Sequence, residues 1–593
     1  MKKSLVLLCL FLVGLIGSTA LAQTPTGTVD GTVRDESGAV IPGAEILLTN
    51  KQTNAKRTAI TDDEGRFRIT NVPSGQYHCE AKLTGFKTTS AEFKLDVAGL
   101  QTLNFNMQVG DITETVEVSG AVQKVNTEEG TLSSVVSGRQ VEDLPLNGRN
   151  VFQLALLQPG VTAGINDGIG GQSDINASGN RTRGNNFSLD GVSNNDPITG
   201  GATSVTPNLD SVQEFRIQNN NFSAEFGRNN GAVVNVVTKS GTNEFHGTAY
   251  WFHRNNSIDA REYFDGEDTA PLRQHQAGFT IGGPVIRDKT FFFGAFEGIR
   301  TFSGESTQGR FETPELRQLV QQQAPNSLAA QFFQAFPGPT PTADFDDVGS
   351  ISGDFQAAGP LDGIPDVGTA NFFSPNDARS YQYNVRLDHE VTDNNKLFFR
   401  YIWQTSETPS NNIRAAELGN DFDGHFANGV ISDTHIFSPT VVNEIRYGYN
   451  RTRTDFNTPR FDITDFNIFN FAGGDGITGF GAYGGTPQFF TAEEYHLVDV
   501  VSINVGDHGI KTGFEYRWNQ DDSDFQFLTR GYVAFAGVFD FISELPSEVS
   551  ARVDPRVEGQ LPLVGTPHNF RQSEWAFFIQ DDWKVSDRLT LNL

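Results

Sequence analysis

Cysteine and methionine are scarce, with two of each in 593 residues. One of the cysteines, Cys9, lies at the extreme N-terminus, so no disulfide framework can be assembled. Basic charge is short as well: 44 Lys and Arg stand against 72 Asp and Glu, a net charge of −28. That balance excludes a nucleic-acid binder, whose phosphate contacts need clustered cations. After Ala22 no apolar run approaches the roughly 20 residues that a membrane-crossing helix needs. What is abundant is Gly (61) and Phe (49), with Asn, Thr and Ser, a composition of strands and loops.

The N-terminus carries an export signal. Lys2 and Lys3 precede an apolar run from Leu5 to Ile16, and Ala20-Leu21-Ala22 closes the segment. This pattern predicts a cleavable signal peptide over residues 1–22. An exported chain without membrane helices is either soluble beyond the inner membrane or a β-barrel in the outer one.

Residues 23–110 show short alternating runs at Gly27–Arg34, Ala44–Asn50, Arg66–Asn71, Gln76–Leu83, Ala91–Val97 and Gln101–Val109. Turn clusters such as Asp62-Asp63-Glu64-Gly65 and Pro73-Ser74-Gly75 separate them. The spacing predicts a small β-sandwich. Cys79 falls within one of the runs and reads as a small buried hydrophobe.

Gly31-x-Val33-x-Asp35, Ile41-Pro42-Gly43-Ala44, Thr61-Asp62-x-x-Gly65-x-Phe67 and Pro73-x-Gly75-x-Tyr77 resemble the carboxypeptidase regulatory-like domain. The resemblance implies a non-catalytic, carbohydrate-binding-like sandwich, either sugar-binding or a plain periplasmic spacer.

Asp111 to Gly120 alternates β-branched and polar residues, as a segment that adds as a strand to a partner's sheet would. Glu114, Thr115, Val116, Glu117, Val118, Ser119 and Gly120 resemble a TonB box. A plain linker strand shares that pattern. Further on come Leu144-Pro145-Leu146-Asn147-Gly148-Arg149-Asn150, then Arg183-Gly184 leading to Asp190-Gly191, then Val212 to Ile217 containing Arg216, and Glu225-Phe226-Gly227-Arg228. The ordered succession is similar to the plug domain of TonB-dependent receptors, in their Oar-like branch. Arg181, Arg183 and Arg216 can pair with acidic groups on a barrel wall or stand as solvated loop charges. The Asn/Gly-rich stretches suit turns inside a lumen, where amides both donate and accept.

From Glu244 onward aromatic-rich strands begin. Tyr381, Tyr383, Val385 and Leu387 interleave with Gln382, Asn384, Arg386 and Asp388, and Ile445, Tyr447 and Tyr449 oppose Glu444 and Arg446. Tight links at Ile286–Lys289, Val391–Asn395, Phe437–Pro439 and Val505–Gly509 alternate with long polar stretches at 301–379, 407–423, 456–492 and 524–569. Short turns on one side and long loops on the other favour a transmembrane β-barrel over a large soluble β-protein, which shares the alternation but has less reason to segregate loop lengths. Roughly a dozen strands follow residue 240, an even set within the range of such barrels. The TonB-dependent family implies 22, so an incomplete barrel is expected, cut just as a strand begins at Leu589.

Catalytic and metal motifs are unconvincing. Gly474-Asp475-Gly476-Ile477-Thr478-Gly479 matches GxGxxG but lacks the strand and helix a dinucleotide site requires. No HExxH, GxSxG or P-loop occurs, and no cofactor is expected. Asp344-Phe345-Asp346-Asp347 and Asp521-Asp522-Ser523-Asp524 read as solvated loop charge, with Ca²⁺ as the rival.

The expected fold class is all-β dominated. Its parts are a sandwich at 23–110, a TonB-box-like segment at 111–120, a small α+β plug at 121–240 and an incomplete antiparallel transmembrane barrel at 241–593. The resemblance implies an outer-membrane receptor, not an enzyme, whose N-terminal domain is periplasmic. Its partners would be TonB of the TonB–ExbB–ExbD complex, outer-membrane lipid, and a ferric siderophore, oligosaccharide or peptide. The rival expectation is a non-transporting surface adhesin that the barrel anchors.

Overall fold

The computed structural model describes residues 26–593, apart from 112–114, 118–131, 137, 145, 147–148, 165–174, 199, 201–202, 221–222, 228, 262–268, 351–359, 410–413, 415–420, 458–467, 472–476, 482–486, 526–531, 551–566 and 587–588. The expected signal peptide and residues 114 and 118–120 of the box-like segment lie outside the described residues.

Three apolar cores organise the chain. The first belongs to the N-terminal sandwich. One of its sheets centres on Gly27–Asp35, flanked by Arg66–Val72 on one side and by Leu100–Thr102 and Phe105–Met107 on the other. The second sheet runs Lys56–Ile60, Glu45–Asn50, Gly75–Lys82, Thr88–Leu95 and Thr115–Glu117 in spatial order. Alternate residues point between the sheets, so Val29, Val33, Ile46, Leu48, Phe67, Tyr77, Cys79 and Phe93 form the core. The strand Lys56–Ile60 was not anticipated, because its exposed edge reads as Lys-Arg-Thr and carries one buried residue, Ala59.

The second core lies in an inserted unit whose five-stranded sheet is ordered Leu132–Val136, Val212–Asn220, Val233–Thr238, Asn186–Leu189 and Val192–Ser193. Phe152, Phe187, Leu189, Phe215 and Val234 fill it.

Around that insert wraps a twelve-stranded antiparallel sheet whose main path runs from His246–Asn255 to Leu589–Asn592. The wrapping is shown by contact: Asn208 of the insert donates to Tyr250 at 2.6 Å, Ser193 to His496 at 3.2 Å and Ser223 to Gln580 at 2.6 Å. The two end strands are not paired with each other, so the sheet is open. Its alternation is inverted relative to a soluble protein. Tyr381, Tyr383, Val385 and Leu387 are 43–49% exposed on the outer face, while Gln382, Asn384 and Asp388 are buried within. Such a wall suits lipid outside and a polar lumen inside.

The long loops depart from expectation. Strands Thr290–Glu312 and Val367–Thr392 run 23 and 26 residues, so the segment between them shrinks from 301–379 to 313–366. Nor are the loops simply polar. Helices Pro314–Gln323, Leu328–Ala335 and Val538–Ile542 pack with Phe480 and the strand Tyr532–Phe535 into the third core, a cap at the long-loop end. Thr313 starts the first helix by accepting from Leu316 N–H at 3.1 Å, ahead of Pro314, and Ser327 does the same for Ala330. Phe332, Phe333, Phe480 and Phe541 meet ring to ring at 5.1–6.2 Å. A buried ion pair ties in another loop: Arg414 donates to both carboxylate oxygens of Glu312, at 3.1 and 2.8 Å, with its guanidinium 4.1 Å over Phe480. Ile477, from the GxGxxG-like stretch, is a core residue of this cap, and Gly474, Asp475 and Gly476 lie outside the described residues.

Candidate functional site

The site is built on a two-residue hairpin. Leu189 pairs with Val192, leaving Asp190 and Gly191 as the turn, with φ of +50° and +81°. A type I′ turn needs positive φ at both positions, and Asp-Gly provides this at low cost. The tip is pressed against the inner face of the wall. A Cβ on Gly191 would displace the Arg446 guanidinium, and the positive φ already favours glycine here.

Asp190 is 1% exposed and accepts four hydrogen bonds. Thr238 N–H and Oγ1 donate at 2.9 Å each, within the insert. From the wall, Arg400 Nε donates at 2.9 Å and Arg386 Nη1 at 3.3 Å. Arg386 also forks onto Asp388 at 2.9 and 3.0 Å and lies 4.7 Å over the Phe398 ring. Fully buried Arg400 spends its remaining donors on Leu189 O (2.9 Å) and on Asn428 O and Oδ1 (2.7 and 2.6 Å). Two carboxylates thus face two guanidiniums in a largely buried site, where such pairs are strong only when fully matched.

Amides complete the fastening. Asn195 accepts from Phe187 N–H at 2.9 Å and donates to Asn185 O at 3.0 Å, and Asn450 of the wall reaches Asn195 O at 2.6 Å. These are the turns for which the Asn-rich stretches were read.

The other predicted residues lie elsewhere. Arg181 and Arg183 are exposed around the short turn Thr182–Gly184. Buried Arg216 donates to Val97 O of the sandwich at 3.5 Å. At Asp190 the wall supplies the arginines and the insert the acid. Arg386 and Arg400 were missed as site residues. Their one signal was charge on the face of a strand opposite its aromatics.

At the short-turn end the sandwich is seated across the wall. Arg68 pairs with Asp582 at 3.2 Å, Arg66 with Asp507, and Asn54 donates to Asp288 at 2.8 Å. Lys94 reaches Glu214 of the insert at 2.7 Å, and Val97 N–H donates to the same carboxylate. Burial holds the Glu214 carboxyl above its usual range in spite of Lys94. Burial opposes the Lys94 charge, but Glu214 and Asp96 outweigh it and raise its ammonium. A cavity of about 1520 Å³ lies between sandwich, insert and wall, lined by Arg57, Tyr77, Lys94, Glu214 and Arg386 among others.

Thr115–Glu117 of the box-like segment adds in parallel to the sandwich strand Thr88–Leu95, Thr88 opposite Thr115 and Ser90 opposite Glu117. Of the acidic stretches, Asp346 pairs with Arg310 and Asp522 with Arg571.

A lipid-facing antiparallel wall, a folded insert clamped to its polar inner face and a small sandwich beneath together define an outer-membrane barrel protein. Residues 237–593 match the family described as outer membrane beta barrel domain, and residues 28–108 match the carboxypeptidase regulatory-like domain. The chain belongs to the outer membrane beta barrel domain family. It is 30% identical over 303 residues to the TonB-dependent transporter Oar of Myxococcus xanthus, a match spanning 48% of this chain and 27% of that protein. Among solved structures it is similar to the outer membrane transporter YddB of Escherichia coli, at 11% identity and a TM-score of 0.49, covering 76% of this chain and 55% of that one. A mutant of the ferric enterobactin receptor of Pseudomonas aeruginosa gives 13% identity and a TM-score of 0.45, covering 78% and 56%.

Proposed function

We propose that the chain acts as a TonB-dependent transporter that imports a scarce solute across the outer membrane. The observation that carries this reading is the insert. A wall whose inner face is polar is filled by a separately folded sheet and held by the Asp190 ion pairs. The insert is then the plug. Residues 114–120 are the segment that TonB of the TonB–ExbB–ExbD complex grips, and the sandwich lies in the periplasm. Force on that segment would work against the bonds at Asp190, Gly191 and their wall partners. Similarity to Oar supports the same reading. The solute class is a ferric siderophore, an oligosaccharide or a peptide.

Deleting residues 114–120 tests it. Uptake of the solute that supports growth should vanish, while the protein remains in the outer membrane at normal level. Undiminished uptake would overturn the reading. The cap favours a second reading, a surface adhesin, because a loop domain with its own core is a ready-made recognition surface. In that case the deletion leaves adhesion intact, and removing residues 313–366 abolishes it.

A further inference from the structure

The sandwich lies across the short-turn end of the wall and is fastened toward both ends of the sheet. On the side of the first strands, Asn54 donates to Asp288 at 2.8 Å and Asn243 N–H donates to Gln52 O at 3.0 Å. On the side of the last, Arg66 pairs with Asp507, Arg68 with Asp582 at 3.2 Å, and Ser502 donates to Asn71 at 3.3 Å. Between these points, wall residues Asp393, Asn394, Phe437 and Pro439 border the cavity of about 1520 Å³ that the sandwich covers. Inward, the sandwich meets the insert, where Gln213 donates to Ser74 O at 3.4 Å and Lys94 pairs with Glu214.

Two features allow the sandwich to move as a body. Its core closes on its own residues, with no wall or insert residue among those described. Arg66, Arg68, Asp507 and Asp582 are only partly buried, and such ion pairs are weak one by one. A third feature connects it to the box-like segment. Thr115–Glu117 is the edge strand beside Thr88–Ser90, so the sandwich holds this segment by its own sheet.

We propose that the sandwich is a gate on the periplasmic outlet, unfastened from the wall by the same pull on residues 114–120 that displaces the insert. The proposal rests on the transporter reading above. A solute passing the insert arrives in the cavity, and the sandwich stands between that cavity and the periplasm. Because the pulled segment is a strand of the gate, the outlet is uncovered only while force is applied.

The test needs no knowledge of the solute. Asn54→Cys with Asp288→Cys puts a thiol on each side of one fastening, and the rate of bridging by a short bismaleimide reads whether the sandwich is seated. In the purified full chain in micelles, adding Arg66→Gln and Arg68→Gln should slow bridging about fivefold, the loss of two part-exposed ion pairs. Cys79 should stay unreactive, which shows that the unfastened sandwich is folded. If that variant unfolds, Asp507→Asn with Asp582→Asn unfastens the same end from the wall side. Unchanged bridging would overturn the gate. In cells, bridging should be roughly twofold or more slower with the inner membrane energised than after a protonophore, and deleting residues 114–120 should remove the difference. A separate variant, Ser204→Cys, reports the insert, because this buried residue touches Thr452 of the wall at 3.2 Å. Faster maleimide labelling of Ser204→Cys in energised cells, with bridging unchanged, would overturn the gate and leave the transporter reading standing. If neither readout responds to energisation or to the deletion, both fall.

Discussion

Asp190→Asn isolates the clamp between insert and wall. Asparagine tolerates the left-handed backbone at this position and its oxygen still accepts from Thr238 N–H, so the hairpin keeps its shape. What changes is charge. Arg386 retains Asp388 at 2.9 and 3.0 Å, but Arg400, fully buried, is left with carbonyl and amide oxygens alone. Breaking a buried pair from one side costs about 3–5 kcal/mol, because the remaining ion is desolvated and uncompensated. At about 1.4 kcal/mol per tenfold, opening of the insert should become roughly two to three and a half orders of magnitude more frequent. Amide hydrogen exchange reads this directly in Asn186–Leu189 and Val233–Thr238, with Glu45–Asn50 of the sandwich as internal control. A second substitution, Arg400→Gln, should recover part of the loss, since removing both partners costs less than removing one. Exchange in the insert accelerated less than tenfold, or equally in the sandwich, would refute the assignment of Asp190 as the fastening point.

Two further outcomes are expected. Burial pushes the Cys79 thiol up to about 12, so in the folded chain at pH 8 it should react with N-ethylmaleimide at least a hundredfold more slowly than after denaturation. Comparable rates would show that the sandwich core is open. Asp366 is 98% buried beneath the cap, accepts from Val348 N–H at 2.9 Å, and burial raises its carboxyl to about 6 from an ordinary 3.8. The folded cap then holds more protons than the unfolded chain between those values. This part of its stability is complete below about 4 and lost as pH rises through 6. Exchange of the helix Leu328–Ala335 should accordingly quicken from pH 4 to 7 after correction for intrinsic rates, and Asp366→Asn should remove that component.

How much of this was legible in the sequence depends on the distance over which each interaction acts. Period-two alternation around Tyr381 to Asp388 is local and gave both faces of the wall correctly. Tight turns such as Val505–Gly509 were legible for the same reason, since Gly506 takes φ of +55°. Strand ends were not. Polarity in an outer-membrane strand marks where the chain leaves lipid, while hydrogen bonding in Thr290–Glu312 continues far past the 9–11 residues a bilayer requires. The cap was missed because its core gathers short apolar clusters from Leu316 to Ile542, none of them periodic enough to declare an element alone. Asp190 was singled out by motif, but its partners Arg386 and Arg400 stand 196 and 210 residues away. No spacing rule reaches that far.

The placement of apolar and charged groups has a mechanical consequence. Sandwich, insert and cap each close their own core, and wall residues Ile402 and Phe426 are where the insert's core continues into the wall. Among the described residues the joints between units also carry matched charges: Asp190 with Arg386 and Arg400, Lys94 with Glu214, Arg68 with Asp582. A joint made of greasy surface resists separation because water must then cover apolar area. A joint made of matched ions and amides can part and be hydrated without leaving such area behind, at a cost set by a few named pairs. Units built in this way can be displaced from one another while each remains folded, as removal of a plug from its wall would require.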